Sequence, residues 1–453
     1  MSEYDAIFIG AGQAGPFLAA RMAAMGRKVA LIERKFLGGT CVNAGCMPTK
    51  ALVASAKTAE IARRAAEYGV VINGQPTVDM IAVAARVRKV ILDARSGLAS
   101  WFDSLETMDV IYGHAKFVAT KTIEVNGEHY TAPQIFINVG ARPSIPDLPG
   151  LADVPYLTST SIIALEELPE HLVVLGGSYI GLEFAQMYRR FGAEVTIIER
   201  GQQLASREDT AISEAISDIL IKESINVLKG HTLAGIDMSG GDIGVRTDQT
   251  EVRGSHVLVA VGRQPNTDDL GLQFAGVEMD RHGFIMVDDR LQTNVEGVFA
   301  LGDCNGRGAF THTSYNDFEI AAANLLDGGD RKVSDRILGY GLYIDPPLGR
   351  VGMTERQARD AGHRIKVATR PMSSVGRATE KGETQGFMHL VADADTDRIL
   401  GAAILGVGGD EAIHAVLDAM NLGATTERLK WAVPIHPTVS EQVPTLIASL
   451  QVK

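Results

Sequence analysis

Cysteine is scarce in this chain, with three in 453 residues. That excludes a disulfide scaffold, and at roughly 150 residues per domain the length suggests about three domains whose stability comes from buried cores. Three thiols cannot all pair off. Two of them, Cys41 and Cys46, lie five positions apart, which suits chemistry better than stapling. Basic residues are also in deficit, 43 Lys and Arg against 55 Asp and Glu for a net charge of −12, and no basic cluster interrupts the acidic background. A nucleic-acid or anionic-membrane surface is excluded on that ground. Long apolar runs are missing too: Ile399 to Gly409 is too short to span a bilayer and contains four glycines. The opening Met1-Ser2-Glu3-Tyr4-Asp5 has neither the basic flank nor the apolar core of a signal peptide, so a cytoplasmic protein is expected.

What the chain has in quantity is glycine, 48 residues, within a composition that is 45% hydrophobic. Both suit a compact α/β protein with close backbone approaches. Ala6-Ile7-Phe8-Ile9 reads as a buried strand running into Gly10-Ala11-Gly12-Gln13-Ala14-Gly15 and then an alanine-rich helix to about Met25. In such a strand–turn–helix unit the glycines allow the tight turn, the approach of a pyrophosphate to the backbone, and close helix–strand packing. Val29 to Ile32 reads as the next strand. It ends in Glu33, 18 residues after Gly15, where a carboxylate accepts hydrogen bonds from a ribose.

The pattern recurs. Leu172 to Leu175 leads into Gly176-Gly177-Ser178-Tyr179-Ile180-Gly181, a helix, and Val195 to Ile198 ending in Glu199, again 18 residues after the last glycine. Two such units imply two dinucleotides, as when a bound flavin exchanges a hydride with a nicotinamide. Ser178 stands where glycine would be ideal, so a slightly crowded pyrophosphate approach is expected there.

The cysteine pair lies in Gly38-Gly39-Thr40-Cys41-Val42-Asn43-Ala44-Gly45-Cys46-Met47-Pro48-Thr49-Lys50, ahead of a long helical stretch beginning near Ala51. A helix amino end stabilises a thiolate, and a short glycine-containing loop can close the two sulfurs into a disulfide. The competing readings are two buried small hydrophobes, or a zinc site that lacks a second CxxC or a nearby His.

The segment from Gly39 to Lys50 resembles the redox-active disulfide motif of the class I pyridine nucleotide-disulfide oxidoreductases, the group of dihydrolipoamide dehydrogenase, glutathione reductase and mercuric reductase. Further stretches carry the resemblance over nearly the whole chain. Thr293 to Asp303 is similar to the family's second flavin motif, Val259 to Asn266 to its nicotinamide-domain exit, and Ile137 to Pro143 to its flavin-domain crossover, with Asn138-Val139 in place of Ala-Thr. His436-Pro437-Thr438-Val439-Ser440-Glu441 resembles its His-Glu dyad. A carboxylate five residues from a His can orient the ring and raise its pKa, making a general base near neutrality, although the spacing alone also fits ordinary surface polar residues.

The resemblance implies two Rossmann-like dinucleotide-binding domains plus a C-terminal α+β dimerisation domain. The expected boundaries are 1–147 and 271–334 for a discontinuous FAD-binding domain, 148–270 for the NAD(P)-binding domain and 335–453 for the interface. It implies a homodimer sharing its active sites, with Cys46 the charge-transfer thiol, Cys41 the interchange thiol, and His436 with Glu441 the base serving the partner's site. Lys50 and Glu183 match an ion pair beside the flavin. For FAD it implies Gly10, Gly12, Gly15, Glu33, Gly39, Thr40, Lys50, Ala115, Gly140, Asp303 and Thr311; for NAD(P), Gly176, Ser178, Tyr179, Ile180, Gly181, Glu199, Arg200 and Gly262. Tyr179 falls where the family places an aromatic gate. Glu199 favours NADH while Arg200 and Arg207 would attract a 2′-phosphate, and the reading leans to NADH. Cys304 is read as packing.

The expected reaction moves electrons between nicotinamide, flavin and a Cys41–Cys46 disulfide, to or from a thiol or disulfide substrate. Two alternatives stay open: a metal-ion or quinone reductase of the mercuric-reductase-like branch, whose carboxy-terminal cysteine pair has no counterpart after Cys304, and a non-enzymatic flavoprotein sensor or complex subunit. No resident metal is expected.

Overall fold

Runs of apolar residues with no polar alternation have to be covered on both faces, and in the computed structural model, which describes residues 2–453, they form two parallel sheets between helices. The first has five strands in the order Val298–Ala300, Gln134–Ile137, Ala6–Ile9, Val29–Glu33 and Met108–Tyr112, all parallel. Its register is pinned by three phenylalanines in line across neighbouring strands: Phe8 stacks on Phe136 at 4.5 Å between ring centroids, and Phe136 on Phe299 at 5.0 Å. The edge strand Val298–Ala300 comes from far along the chain, after the whole second sheet.

That second sheet repeats the pattern with Tyr156–Thr158, His256–Val259, His171–Leu175, Glu194–Glu199 and Asn226–Lys229, again parallel throughout. The chain passes between the two sheets through Ala141–Pro143 and returns through Arg263–Pro265, and these two short strands pair antiparallel with each other. A third, six-stranded antiparallel sheet runs in the order Gly339–Leu342, Leu348–Gly352, Ile399–Leu405, Phe387–Asp393, Ile365–Pro371 and Gln451–Val452.

Two expected helices begin or end elsewhere. The helix read as starting near Ala51 starts at Cys46 and runs to Arg63. Pro48 is harmless in its first turn, where backbone N–H groups have no intrahelical partner. The stretch from Glu411 to Leu422, which the sequence of the interface region reads as one helix, is two pieces, Gly409–Ala412 and His414–Asn421.

The long cysteine helix packs against Tyr179–Phe191 of the second unit, and Ala51, Leu52 and Ala56 share one core with Leu182, Ala185 and the interface residues Leu342, Leu348 and Leu405. A buried guanidinium reinforces that junction: Arg190 bridges Glu223 at 2.7 Å and Asp345 at 2.7 Å, and Asp345 also takes Lys57 of the cysteine helix at 3.0 Å. Among the described residues no helix is long and apolar enough to cross a membrane.

Candidate active site

The first glycine turn is shaped by what lies beneath it. Gly10 has φ +96°, and a Cβ there would lie 2.5 Å from the Asn138 carbonyl oxygen; a Cβ on Gly39, φ +58°, would lie 2.8 Å from Gly12 Cα. Turn and cysteine segment thus meet backbone to backbone. Beside the meeting point is a cavity of about 290 Å³ lined by Gly12, Gln13, Phe17, Gly38, Val42 and Met47. Gly15 opens the helix that follows, so its amino end faces this junction. Glu33 closes the neighbouring strand with one carboxylate oxygen accepting from Ala11 N–H at 2.9 Å and the other from Lys35 N–H at 2.7 Å.

Asn138, absent from the expected site, ties this region together. Only 4% exposed, its Oδ1 accepts from Gly15 N–H at 3.0 Å and its Nδ2 donates to the Leu301 carbonyl at 2.8 Å. The signal was available as a polar residue closing an apolar strand, but its partners lie far off in sequence. Asp303 follows two residues after Leu301, and burial pushes its carboxyl above the usual range. Ala115 is buried, Thr40 exposed, and Gly140 lies in a left-handed turn at φ +65°. A glycine cradle that side chains would fill, a carboxylate closing the neighbouring strand and a half-buried aspartate together fit an FAD.

Cys41 lies in the short helix Gly39–Asn43, and Cys46 is the first residue of the long helix. Both are free thiols, and Thr311 Oγ1 is 3.0 Å from Cys46 Sγ. The adjacent Cys41 thiol, then Thr311 and the Lys50 charge, bring Cys46 down to about 6. Cys41 moves far up, held as the S–H donor to Cys46 and further raised by burial. The directions of the two shifts favour a thiolate at Cys46 over one at Cys41. Cys304 is fully buried, contacts the Ile137 and Leu301 carbonyls, and is pushed up to about 12 by desolvation, which makes it an inert packing thiol.

One turn along the helix from Cys46, Lys50 meets Glu183 at 2.5 Å. The ammonium also lies 4.3 Å from the Tyr343 ring centroid, and Tyr343 N–H donates to the other Glu183 oxygen at 2.9 Å. His436 Nδ1 is 2.8 Å from Glu441, with the His side chain 77% exposed and the carboxylate 11% exposed. Among the described residues, no hydrogen bond or ion pair connects this dyad to Cys41 or Cys46 of the same chain.

The second glycine turn copies the first. Gly176, φ +109°, lies against the Ala260 carbonyl as Gly10 lies against that of Asn138, and Gly181 packs onto Gly176. Glu199 accepts from Gly177 N–H and Gly201 N–H, both at 2.7 Å. Ser178 is exposed at the cap position of the helix that follows, and Gly177 is tightly packed, a Cβ there lying 2.5 Å from Leu204. Ile180 is half-buried, Gly262 has φ +143° in open space, and Arg200 and Arg207 are exposed. The Tyr179 hydroxyl donates to Glu208 at 2.9 Å.

Comparison with known proteins agrees with this geometry. Residues 4–317 match the pyridine nucleotide-disulphide oxidoreductase family and residues 340–447 match its dimerisation domain. The chain is 35% identical to the probable pyridine nucleotide-disulfide oxidoreductase RclA of Escherichia coli K12, over 98% of each chain. It is 34% identical to a dihydrolipoyl dehydrogenase of Thermus scotoductus, over 97% of this chain and 96% of that one, and 33% identical to a mercuric reductase of Lysinibacillus sphaericus, over 97% and 81%. A solved Cu(II) complex of the HOCl-induced flavoprotein disulfide reductase RclA superposes with a TM-score of 0.91 at 34% identity, covering 99% of both chains. With two dinucleotide units, a dithiol at their junction and a dimerisation domain, the chain belongs to the class I pyridine nucleotide-disulfide oxidoreductases, enzymes that work with FAD and NAD(P)H.

Proposed function

We propose that this enzyme reduces a small-molecule or protein disulfide at the expense of NAD(P)H, with NADH the preferred donor, through Cys41 and Cys46. The observation that carries the reading is where the dithiol sits: Cys46 lies 3.0 Å from the Thr311 hydroxyl and one helical turn from Lys50, and Cys41 lies in the segment that meets the first glycine turn. Bound between the first glycine turn and the cysteine segment, FAD supplies a carrier that accepts hydride and delivers two electrons. Gly10, Gly12, Gly15, Glu33, Asn138 and Asp303 are the residues that would hold it.

Cys41 needs a base before it can attack, because its proton is held. His436 of the partner subunit, oriented by a carboxylate, is the group for that step; in a dimer it is an exposed dyad that reaches outward. The deprotonated Cys41 attacks one sulfur of the substrate, the substrate S–S bond breaks, and the departing thiolate takes the proton from the imidazolium. Cys46 then attacks Cys41 in the mixed disulfide, restoring the Cys41–Cys46 bond and releasing the second half as a thiolate that takes its proton from solvent. The sum is one disulfide, one NAD(P)H and one proton converted to two thiols and NAD(P)⁺.

Glu199, fixed by two backbone amides, is placed to bond ribose hydroxyls and to repel a 2′-phosphate, which supports NADH; exposed Arg200 and Arg207 work the other way. A second reading, reduction of a bound metal ion by the dithiol, is favoured by adjacent soft thiols and by the Cu(II) complex in which RclA was solved.

The deciding experiment is anaerobic titration of the FAD-loaded enzyme with NADH and with NADPH, followed by turnover with lipoamide, glutathione disulfide, Hg²⁺, Cu²⁺ and quinones, in wild type and Cys41→Ser. Disulfide turnover abolished by Cys41→Ser supports the proposal. Reduction of a metal with no disulfide accepted moves the assignment to the second reading, and no thiolate-to-flavin absorbance band at the two-electron stage sinks the dithiol assignment.

A further inference from the structure

Tyr179 is the first residue of its helix, directly after the second glycine turn, and Glu183 lies one turn further along the same face, where it meets Lys50. The Tyr179 ring packs 5.5 Å from that of Tyr340, which stacks at 5.4 Å on Phe310; the next residue, Thr311, touches Cys46. The ring therefore begins a row of aromatic contacts that leads from the second glycine turn to the neighbour of the cysteine-bound Thr311.

Its hydroxyl is not free to move with solvent. One oxygen of Glu208 accepts from Tyr179 at 2.9 Å and from Tyr340 at 2.8 Å, and the other accepts from Arg350 Nε at 2.9 Å and Nη2 at 2.7 Å. Glu208 is 2% exposed and Arg350 0%, so four donors saturate a carboxylate shielded from water. Asp209 holds the same guanidinium at 2.9 Å. Tyr340 and Arg350 are direct cross-strand partners in the antiparallel sheet, which is why both reach the same carboxylate.

We propose that Glu208, locked in place by Arg350, is a positioning residue that tethers the Tyr179 ring across the approach to the nicotinamide site, so that the interface domain governs how readily a pyridine nucleotide enters. The inference rests on the nucleotide-dependent reading of this site. Swinging the ring aside breaks a hydrogen bond to a carboxylate that is only 2% exposed. Desolvation and the neighbouring carboxylate hold the Tyr179 phenol well above its ordinary pKa, so it stays a donor.

Calorimetric titration of the FAD-loaded, oxidised enzyme tests this without turnover. NAD⁺ must pass Tyr179 to seat its nicotinamide, whereas ADP-ribose occupies the same glycine turn and lacks that ring. Tyr179→Phe is expected to tighten NAD⁺ by roughly tenfold, the size of one hydrogen bond to a charged group, and to leave ADP-ribose unchanged. Tyr340→Phe deletes an equivalent hydroxyl from the same carboxylate but frees no gate, so NAD⁺ affinity should stay equal or weaken. The tether is overturned by unchanged or weakened NAD⁺ binding in Tyr179→Phe, by NAD⁺ and ADP-ribose moving together, or by Tyr340→Phe tightening NAD⁺ to the same extent. Failure of the disulfide-reductase reading would show separately, as absent turnover with every disulfide while these affinities still follow the pattern.

Discussion

Replacing Thr311 by valine deletes a single hydroxyl 3.0 Å from Cys46 Sγ and keeps the branched shape of the side chain. A thiolate can only accept, so this contact is an O–H donated to charge, and it contributes to holding Cys46 near about 6. A hydrogen bond to a charged group is worth roughly 1.5–3 kcal/mol, and 1.36 kcal/mol corresponds to one pH unit, so the variant's midpoint should rise to about 7 to 8. The direction follows because removing a group that stabilises the charged form favours the neutral one. At pH 7 the reduced wild type would hold about nine-tenths of Cys46 as thiolate, against half or less in Thr311→Val. The assay is the pH dependence of the long-wavelength thiolate–flavin absorbance at the two-electron stage, recorded anaerobically. Coincident midpoints for the two proteins would show that Thr311 does not carry the charge on Cys46 and would refute the reasoning.

Other perturbations separate the remaining parts. His436→Gln and Glu441→Gln should each lower kcat with a disulfide substrate, His436→Gln by roughly 10²–10⁴-fold, the loss appearing in the thiol-exchange half of the cycle when the two halves are timed by rapid mixing. Asn138→Ala leaves the buried Gly15 N–H and Leu301 carbonyl unpaired; a loss of about 2–4 kcal/mol in denaturant titration is expected, together with weaker FAD retention on dialysis. Glu199→Ala should lower the NADH-to-NADPH ratio of kcat/KM by about tenfold, read from initial rates, since the carboxylate both bonds the ribose and repels the phosphate.

The architecture was legible where the signal is local. A glycine turn between a buried strand and a helix, with an acidic residue closing the next strand, is written within some thirty residues and repeats, and the parallel sheets follow from apolar runs that lack alternation. The cysteine pair and the His436–Glu441 spacing are local too. What escaped depends on partners brought together by register. Asn138 reads as an oddity at a strand end until the fold sets Gly15 and Leu301 on either side, 123 and 163 residues away. Arg350 in an apolar strand looks like a misfit until Glu208, 142 residues earlier, comes to meet it. The start of the cysteine helix was missed because Pro48 suggests an interruption, whereas in a first turn it is compatible with the helix.

The pairing of Ala141–Pro143 with Arg263–Pro265 means that the chain leaves for the second parallel sheet and comes back at adjacent points, with Arg142 anchored to Asp268 at 2.6 Å across the junction. An insert whose two ends already touch can be lifted out without stranding the rest of the chain. The nicotinamide-binding unit is in that sense a cassette: a graft cut within these two strands carries its own acidic or basic ribose pocket with it. The ties it must re-form lie outside the cut, where Arg350 meets Glu208, Asp345 meets Arg190 and Lys50 meets Glu183.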